Sequence, residues 1–281
     1  VCENMFLFAD DAKIFKVLSS KDDCSRLQND ISRVVEWFNR WQMQVNIGKC
    51  CLLHVGGKHF INKYHLIDLD GTTCEIPTIE SVSDLGIIMD SKLQFKEHIL
   101  SRVKKANMML GIIARNFRKL SDEAFITLYK ALVRSQLEYG VQVWNPYRQG
   151  LIDAVERVQR RATKLRPSCV GMPYEMRLRK LKLPTLKYRR IRADLILLFD
   201  LLAGDLRSLV CPSLTFCTYE RTRGHDRKLV TSGAHKDCRK YFFGKEWNRL
   251  LQSVVSAGDR YFGYTFRILL DAFRGEKVYE L

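Results

Sequence analysis

Leu27, Ile31, Val34, Val35, Phe38 and Trp41 recur at helical spacing behind the segment SSKDD. That pattern predicts an amphipathic helix from about Asp22 to Trp41. Ahead of it, Met5 to Phe8 and Lys13 to Val17 read as two short strands, with Ala9-Asp10-Asp11-Ala12 as the connecting turn. Behind it, a loop runs into a strand from Cys51 to Val55. Residues 64 to 90 read as short strands with a turn at Asp70-Gly71. The first 90 residues are therefore mixed α and β.

From Glu97 the period changes. Ile99, Val103, Ala106, Leu110, Ile113 and Phe117 mark one face of a long helix. Ser121 is a good N-cap for the next, and Asp122 and Glu123 suit the positive end of its dipole. This helix is expected to run to about Tyr139, and it is apolar on most sides, as for a buried element. Leu151, Val155, Val158, Ala162 and Leu165 mark a third helix, whose outer face carries Arg157, Arg160, Arg161, Lys164 and Arg166. The run from Arg177 to Arg192 holds eight basic residues and no acid. Pro184 breaks it, and a further helix is expected from about Leu186 to Leu202. Beyond Cys211 a polar stretch, TYERTRGHDRK, leads to two short amphipathic helices around Trp247 and Phe266. Trp37, Trp41 and Trp247 fit apolar faces and read as core, and so do Tyr139, Trp144 and Tyr147, although these three also have rings on which bases could stack.

Charge narrows the partners. Lys and Arg number 47 against 31 Asp and Glu in 281 residues, a formal +16. Such a surplus favours a polyanion, nucleic acid before an anionic membrane. No apolar run is long enough to span a bilayer, and Glu3 and Asp10 interrupt any amino-terminal signal sequence. The nine cysteines form no CxxC pair and read as reduced thiols of an intracellular protein, nuclear or cytoplasmic rather than secreted. Cys211, Cys217, His235 and Cys238 match no common zinc spacing. A chain that opens at Val1 with a motif at residue 10 reads as part of a longer protein.

Two adjacent carboxylates on a tight turn repel each other unless a cation lies between them. Mg²⁺ takes oxygen ligands, often one or two carboxylates plus substrate phosphates, so the tip at Asp10 and Asp11 suits nucleotidyl transfer. Taken alone, the pair reads first as a solvated turn, since Asp is common in turns.

The order of elements decides between them. FLFADDAKIF resembles the [Y/F]-A-D-D box of reverse transcriptases. VVEWFNRWQMQVNIGKC, VSDLGIIMDSKLQFKEHI, ALVRSQLEYGVQVWNPY with IDAVERVQRRATKL, and TRGHDRKLV with RKYFFGKEWNRL follow in order. Together they resemble non-LTR (LINE-type) retrotransposon enzymes of the jockey/chicken-repeat branch. The resemblance implies an α+β fold: a partial right-hand polymerase palm over residues 1–92, a mainly helical thumb over 93–170 and a basic α-rich carboxy-terminal segment over 171–281. It implies RNA-directed DNA synthesis with Mg²⁺ as cofactor and an RNA template and DNA primer as partners. Asp10 and Asp11 become metal ligands, Phe8 and Ala9 lie near the primer end, and Lys49 becomes a candidate proton donor to the leaving pyrophosphate. Arg157, Arg160, Arg161, Lys164, Arg189 and Arg190 are candidate phosphate contacts. Asn46 is expected to shape its turn. The family's other catalytic Asp precedes the A-D-D box, so the expectation is a chain that does not polymerise alone; a non-catalytic nucleic-acid-binding remnant is the alternative.

Overall fold

The structure, a computed structural model, describes residues 5–56, 62–67, 70–117 and 119–203, and then 216–217, 225, 227–230, 244–250, 254–255, 267–268 and 270–272. It divides into two compact units, Val1–Leu93 and Gln94–Leu281. Small sheets with one long helix make up the first; the described part of the second is mainly helical. The α+β character expected from the sequence is present.

The first unit is organised by α1 (Lys21–Arg40). Its start is a capping box: the Ser20 hydroxyl accepts from the Asp23 N–H while Asp23 accepts from the backbone N–H of Ser19 and Ser20. Those N–H groups, Ser19's above all, hold the Asp23 carboxyl below its ordinary range. Cys24, Leu27, Ile31 and Val35 of α1 meet Tyr64, Leu66 and Ile76, with Ile14, Ile47 and Leu52 at the margin. The Gln28 carboxamide donates to the His65 carbonyl at 2.9 Å and accepts from the His65 N–H at 3.0 Å, so a helix side chain takes the place of a neighbouring strand. Trp37 and Trp41, expected in the core, lie outside it at 36% and 63% exposure; their rings pack on each other instead.

Among the described residues, four two-stranded sheets accompany α1 in this unit. Strands β1 (Met5–Phe8) and β2 (Asp11–Ile14) form an antiparallel hairpin. Short β3 (Leu52–Leu53) pairs in parallel with β6 (Thr78–Ile79), and β4 (His65–Ile67) pairs with β5 (Thr73–Glu75). Between β7 (Ser81–Asp84) and β8 (Ile87–Asp90) stands the two-residue turn Leu85-Gly86, with φ of 45° and 79°. Two positive φ values in a two-residue loop match the twist of the flanking strands.

In the second unit, α2 (Lys96–Asn116) buries Ile99, Ala106, Leu110 and Ile113. The helix begun at Ser121 runs as α3 (Asp122–Leu128), a π-helical stretch Tyr129–Arg134 and α4 (Ser135–Glu138). It is not apolar all round. One stripe, Phe125, Tyr129, Val133 and Leu137, is buried at steps of four, while Leu132 is 41% exposed. A four-residue step drifts round a 3.6-residue α turn; the wider π turn holds that stripe toward one neighbour. After α5 (Val141–Trp144) come α6 (Gln149–Lys164), α7 (Tyr174–Leu181) and α8 (Leu186–Ala203). The described parts of the tail pack on α8: Leu229, Trp247, Leu250, Val254, Val255 and Leu270 surround Leu195, Leu198 and Phe199. The helix expected around Phe266 lies in part outside the described residues, as do Cys211, His235 and Cys238.

A polar network joins α6, α7 and α8. The buried Glu156 carboxylate accepts from the Tyr174 hydroxyl at 2.6 Å and from the N–H groups of Leu186 and Lys187 at the start of α8. Gln159 accepts from the Tyr129 hydroxyl and donates to the Tyr174 hydroxyl and the Pro184 carbonyl. About two turns into α8, burial raises the Asp194 carboxyl to about 7, against the opposing pull of the Asn145 hydrogen bond and the Arg190 charge. Between about pH 4 and pH 7 the folded protein therefore holds a proton that the unfolded chain releases. Stability falls as pH rises through that window and is level above it. Asp194→Asn is expected to flatten this slope and to raise stability at pH 8 by about 2 kcal/mol. Thermal unfolding between pH 4 and 8 reads both; parallel curves for the two proteins would refute the assignment.

Candidate metal hairpin and nucleic-acid interface

The acid pair sits where strand pairing leaves two residues for a turn. Phe8 pairs with Asp11 and Phe6 with Lys13, so the loop is Ala9-Asp10 alone, tighter than the four-residue turn expected. Asp10 occupies the tip. Asp11 already belongs to β2 and, by the alternation of strand side chains, shares a face with Lys13 and with Phe8 and Phe6 opposite. Both carboxylates are exposed, as are Phe6, Leu7 and Phe8, each by more than half. The Phe6 and Phe15 rings stack at 5.4 Å. The Lys13 ammonium reaches Asp84 of β7, which anchors the hairpin and turns the nearest strand cation away from the pair. Nothing in the apolar–polar pattern marks that long-range contact.

Ala9 takes a φ of 52°. A side chain in this left-handed region costs about 1 kcal/mol, and two-residue hairpins favour Gly there. Ala9→Gly is expected to stabilise the hairpin by roughly 0.5–1 kcal/mol. Hydrogen exchange of the β1 and β2 amides measures this; lower protection in the variant would refute it.

As oxygen donors on an exposed tip, Asp10 and Asp11 fit a hard divalent cation held partly by substrate phosphates. Among the described residues, no group of three His, Cys, Asp or Glu is placed to hold a metal ion. Lys49 ends a 3₁₀ turn, Ile47–Lys49, in the same unit and is exposed.

The basic candidates divide. Arg157, Arg160, Arg161 and Lys164 are all exposed on α6 and fall within an arc of about 100°. Arg160 lies over the Tyr174 ring at 5.0 Å, and Arg177 lies over the same ring at 5.3 Å. Arg161 donates to the Asn107 carboxamide of α2, which packs beside α6. Exposed Lys104, one turn before Asn107 on the same stripe, extends the cationic surface onto α2. Helical spacing alone places Lys104 on that stripe; only packing places it near Arg161.

Arg166, Arg177, Arg189 and Arg190 are committed elsewhere. Arg166 is bound to Asp122 and to the Leu120 carbonyl and lies over Phe125. Arg189 makes a two-pronged ion pair with Glu138. Arg177 and Arg190 are buried at 5% and 2% exposure, and burial depresses the Arg190 pKa. Arg177 donates to the Arg160 carbonyl and the Thr163 hydroxyl. Of the aromatic residues, Trp144 is buried and donates to the Tyr139 carbonyl, while the Tyr139 ring is 53% exposed.

Over about three-fifths of its length the chain is similar to RNA-directed DNA polymerases of mobile elements. It is 28% identical over 186 residues, 62% of its length, to the RNA-directed DNA polymerase from mobile element jockey of Drosophila funebris. To the jockey polymerase of Drosophila melanogaster it is 29% identical over 181 residues, and to the probable RNA-directed DNA polymerase from transposon X-element of that species 24% over 168. The matched stretch covers 19% of each jockey polymerase, so the chain spans about a fifth of their length. No family model matches the chain, and no solved structure matches it. Among the described residues, no helix is long and apolar enough to cross a membrane.

Proposed function

We propose that the chain is a carboxy-terminal part of a non-LTR retrotransposon reverse transcriptase: the end of the palm over residues 1–92, the thumb over 93–170 and a basic segment over 171–281. The observation that carries this is the two-residue hairpin tip that exposes Asp10 and Asp11, in a chain similar to jockey polymerases. Asp10 and Asp11 would hold Mg²⁺. When bound, the ion supplies charge stabilisation for nucleotidyl transfer onto a primer 3′ end. Phe8 and Ala9 stand beside the primer end, and Lys49 donates a proton to the leaving pyrophosphate. Arg157, Arg160, Arg161 and Lys164 hold the phosphate backbone of an RNA template and DNA primer.

Two carboxylates are an incomplete ligand set for two metal ions, so the 281 residues alone are expected not to extend a primer. Primer extension on an RNA template with Mg²⁺ tests this. Synthesis that Asp10→Ala abolishes would show that the chain is sufficient. In a longer protein that does polymerise, Asp10→Ala should abolish incorporation and Lys49→Leu should slow its single-turnover rate; an unchanged rate removes Lys49 from the chemistry. A non-catalytic nucleic-acid-binding role is favoured by one observation: the exposed cations of α6 need no catalytic centre to hold phosphates.

A further inference from the structure

Lys13 follows Asp11 by two residues on β2 and, by strand alternation, lies on the same face. Two residues along a strand span about 7 Å, a gap that a lysine side chain closes easily. The local outcome would be an Asp11–Lys13 ion pair. The fold makes another. The Lys13 ammonium meets the Asp84 carboxylate at 2.5 Å, across 71 positions of the chain. Asp84 ends β7, next to the tight Leu85-Gly86 turn, so its backbone is fixed by the second hairpin. Lys16 is treated alike: its ammonium lies 3.5 Å from Asp30 of α1. Between Met5 and Ser20 the sequence has no other Lys or Arg. Both cations of the hairpin segment are thus held by acids of other elements, in pairs whose Asp84 and Asp30 side chains are only 21% and 18% exposed. Asp10 and Asp11 stay exposed at the tip.

We propose that Asp84 is a positioning residue for the metal site: by holding the Lys13 ammonium, it keeps that ammonium from occupying Asp11 in place of a divalent cation. An ammonium on Asp11 would neutralise one of the two carboxylates and repel the ion. The proposal rests on the metal reading above. The same ion pair also ties β2 to β7, and that mechanical role separates from the electrostatic one when the ammonium itself is removed.

The test is Mn²⁺ titration of the full chain, with paramagnetic broadening of the Asp10 to Lys13 amide signals as the readout. Mn²⁺ takes the same oxygen ligands as Mg²⁺. Wild type is expected to broaden first at the tip. Asp84→Asn, which keeps the shape and frees Lys13, should weaken Mn²⁺ binding there about 5-fold, the effect of one unit charge about 4 Å away in water. Asp84→Asn/Lys13→Met loses the pair and the ammonium together and should return to wild-type affinity. Hydrogen exchange of the β1 and β2 amides checks that the hairpin persists in both. Wild-type affinity in Asp84→Asn overturns the proposal and leaves the metal reading intact. Equally weak binding in the single and double variants assigns the pair a mechanical role alone and overturns it as well. Absence of tip broadening in wild type at millimolar Mn²⁺ overturns both readings.

Discussion

Glu156→Ala is expected to cost the helical unit about 3–5 kcal/mol. The carboxylate is 2% exposed and is shared by three donors: the Tyr174 hydroxyl and the N–H groups of Leu186 and Lys187. Truncation leaves all three buried or half-buried without an acceptor, and it removes a negative charge that favours the buried Arg190 guanidinium. The start of α8 loses its cap at the same time. Against a total stability of about 5–15 kcal/mol this is a large share. In a unit of this size it corresponds to a fall in Tm of roughly 10 °C. Glu156→Gln keeps an acceptor for Tyr174 and should lose about half as much. Urea unfolding followed by tryptophan fluorescence, with buried Trp144 and Trp247 as reporters, measures both. A loss below about 1 kcal/mol for the alanine variant would show that water replaces the carboxylate without penalty.

Charge reversal on α6 carries the largest expected effect on binding. Arg161→Glu/Lys164→Glu should weaken binding to a duplex about 100-fold near 0.1 M salt and lower the slope of log affinity against log salt by about 2. These two positions are preferable to Arg160, whose guanidinium also packs on Tyr174, because their loss leaves the α6–α7 contact in place. An equal change in net charge on α1, Lys21→Glu/Arg33→Glu, is the control, since both residues are exposed in the other unit. It should retain affinity within a few-fold. Equal losses in the two double variants would mean that net charge, not this face, governs binding.

Much of the architecture was legible because it is local. Three long helices, α1, α2 and α6, follow apolar spacing, while α3 starts behind Ser121 and α8 behind the break at Pro184. The hairpin followed from two apolar runs around a polar tip. What misled was residue type taken without its neighbours. Arg189 and Arg190 stand in a run with no acid, yet one pairs with Glu138, 51 positions away, and the other is buried. Trp41 has the spacing of a core residue but lies past the last turn of α1 and faces water. Three buried positions of α6, Glu156, Gln159 and Thr163, are polar, so hydrophobicity alone understates how much of that helix is inside.

By itself the sequence determined where the helices and strands run, the adjacency of Asp10 and Asp11, the surplus of positive charge and the likeness to a polymerase family. All of these depend on short-range spacing or on ordered motifs. Tertiary packing decided which cations remain free for an anion, and that Lys13 is held by Asp84. Those depend on residues far apart in the chain, where the energy of burying a charge or leaving a donor unpaired is set by the partner that the fold delivers.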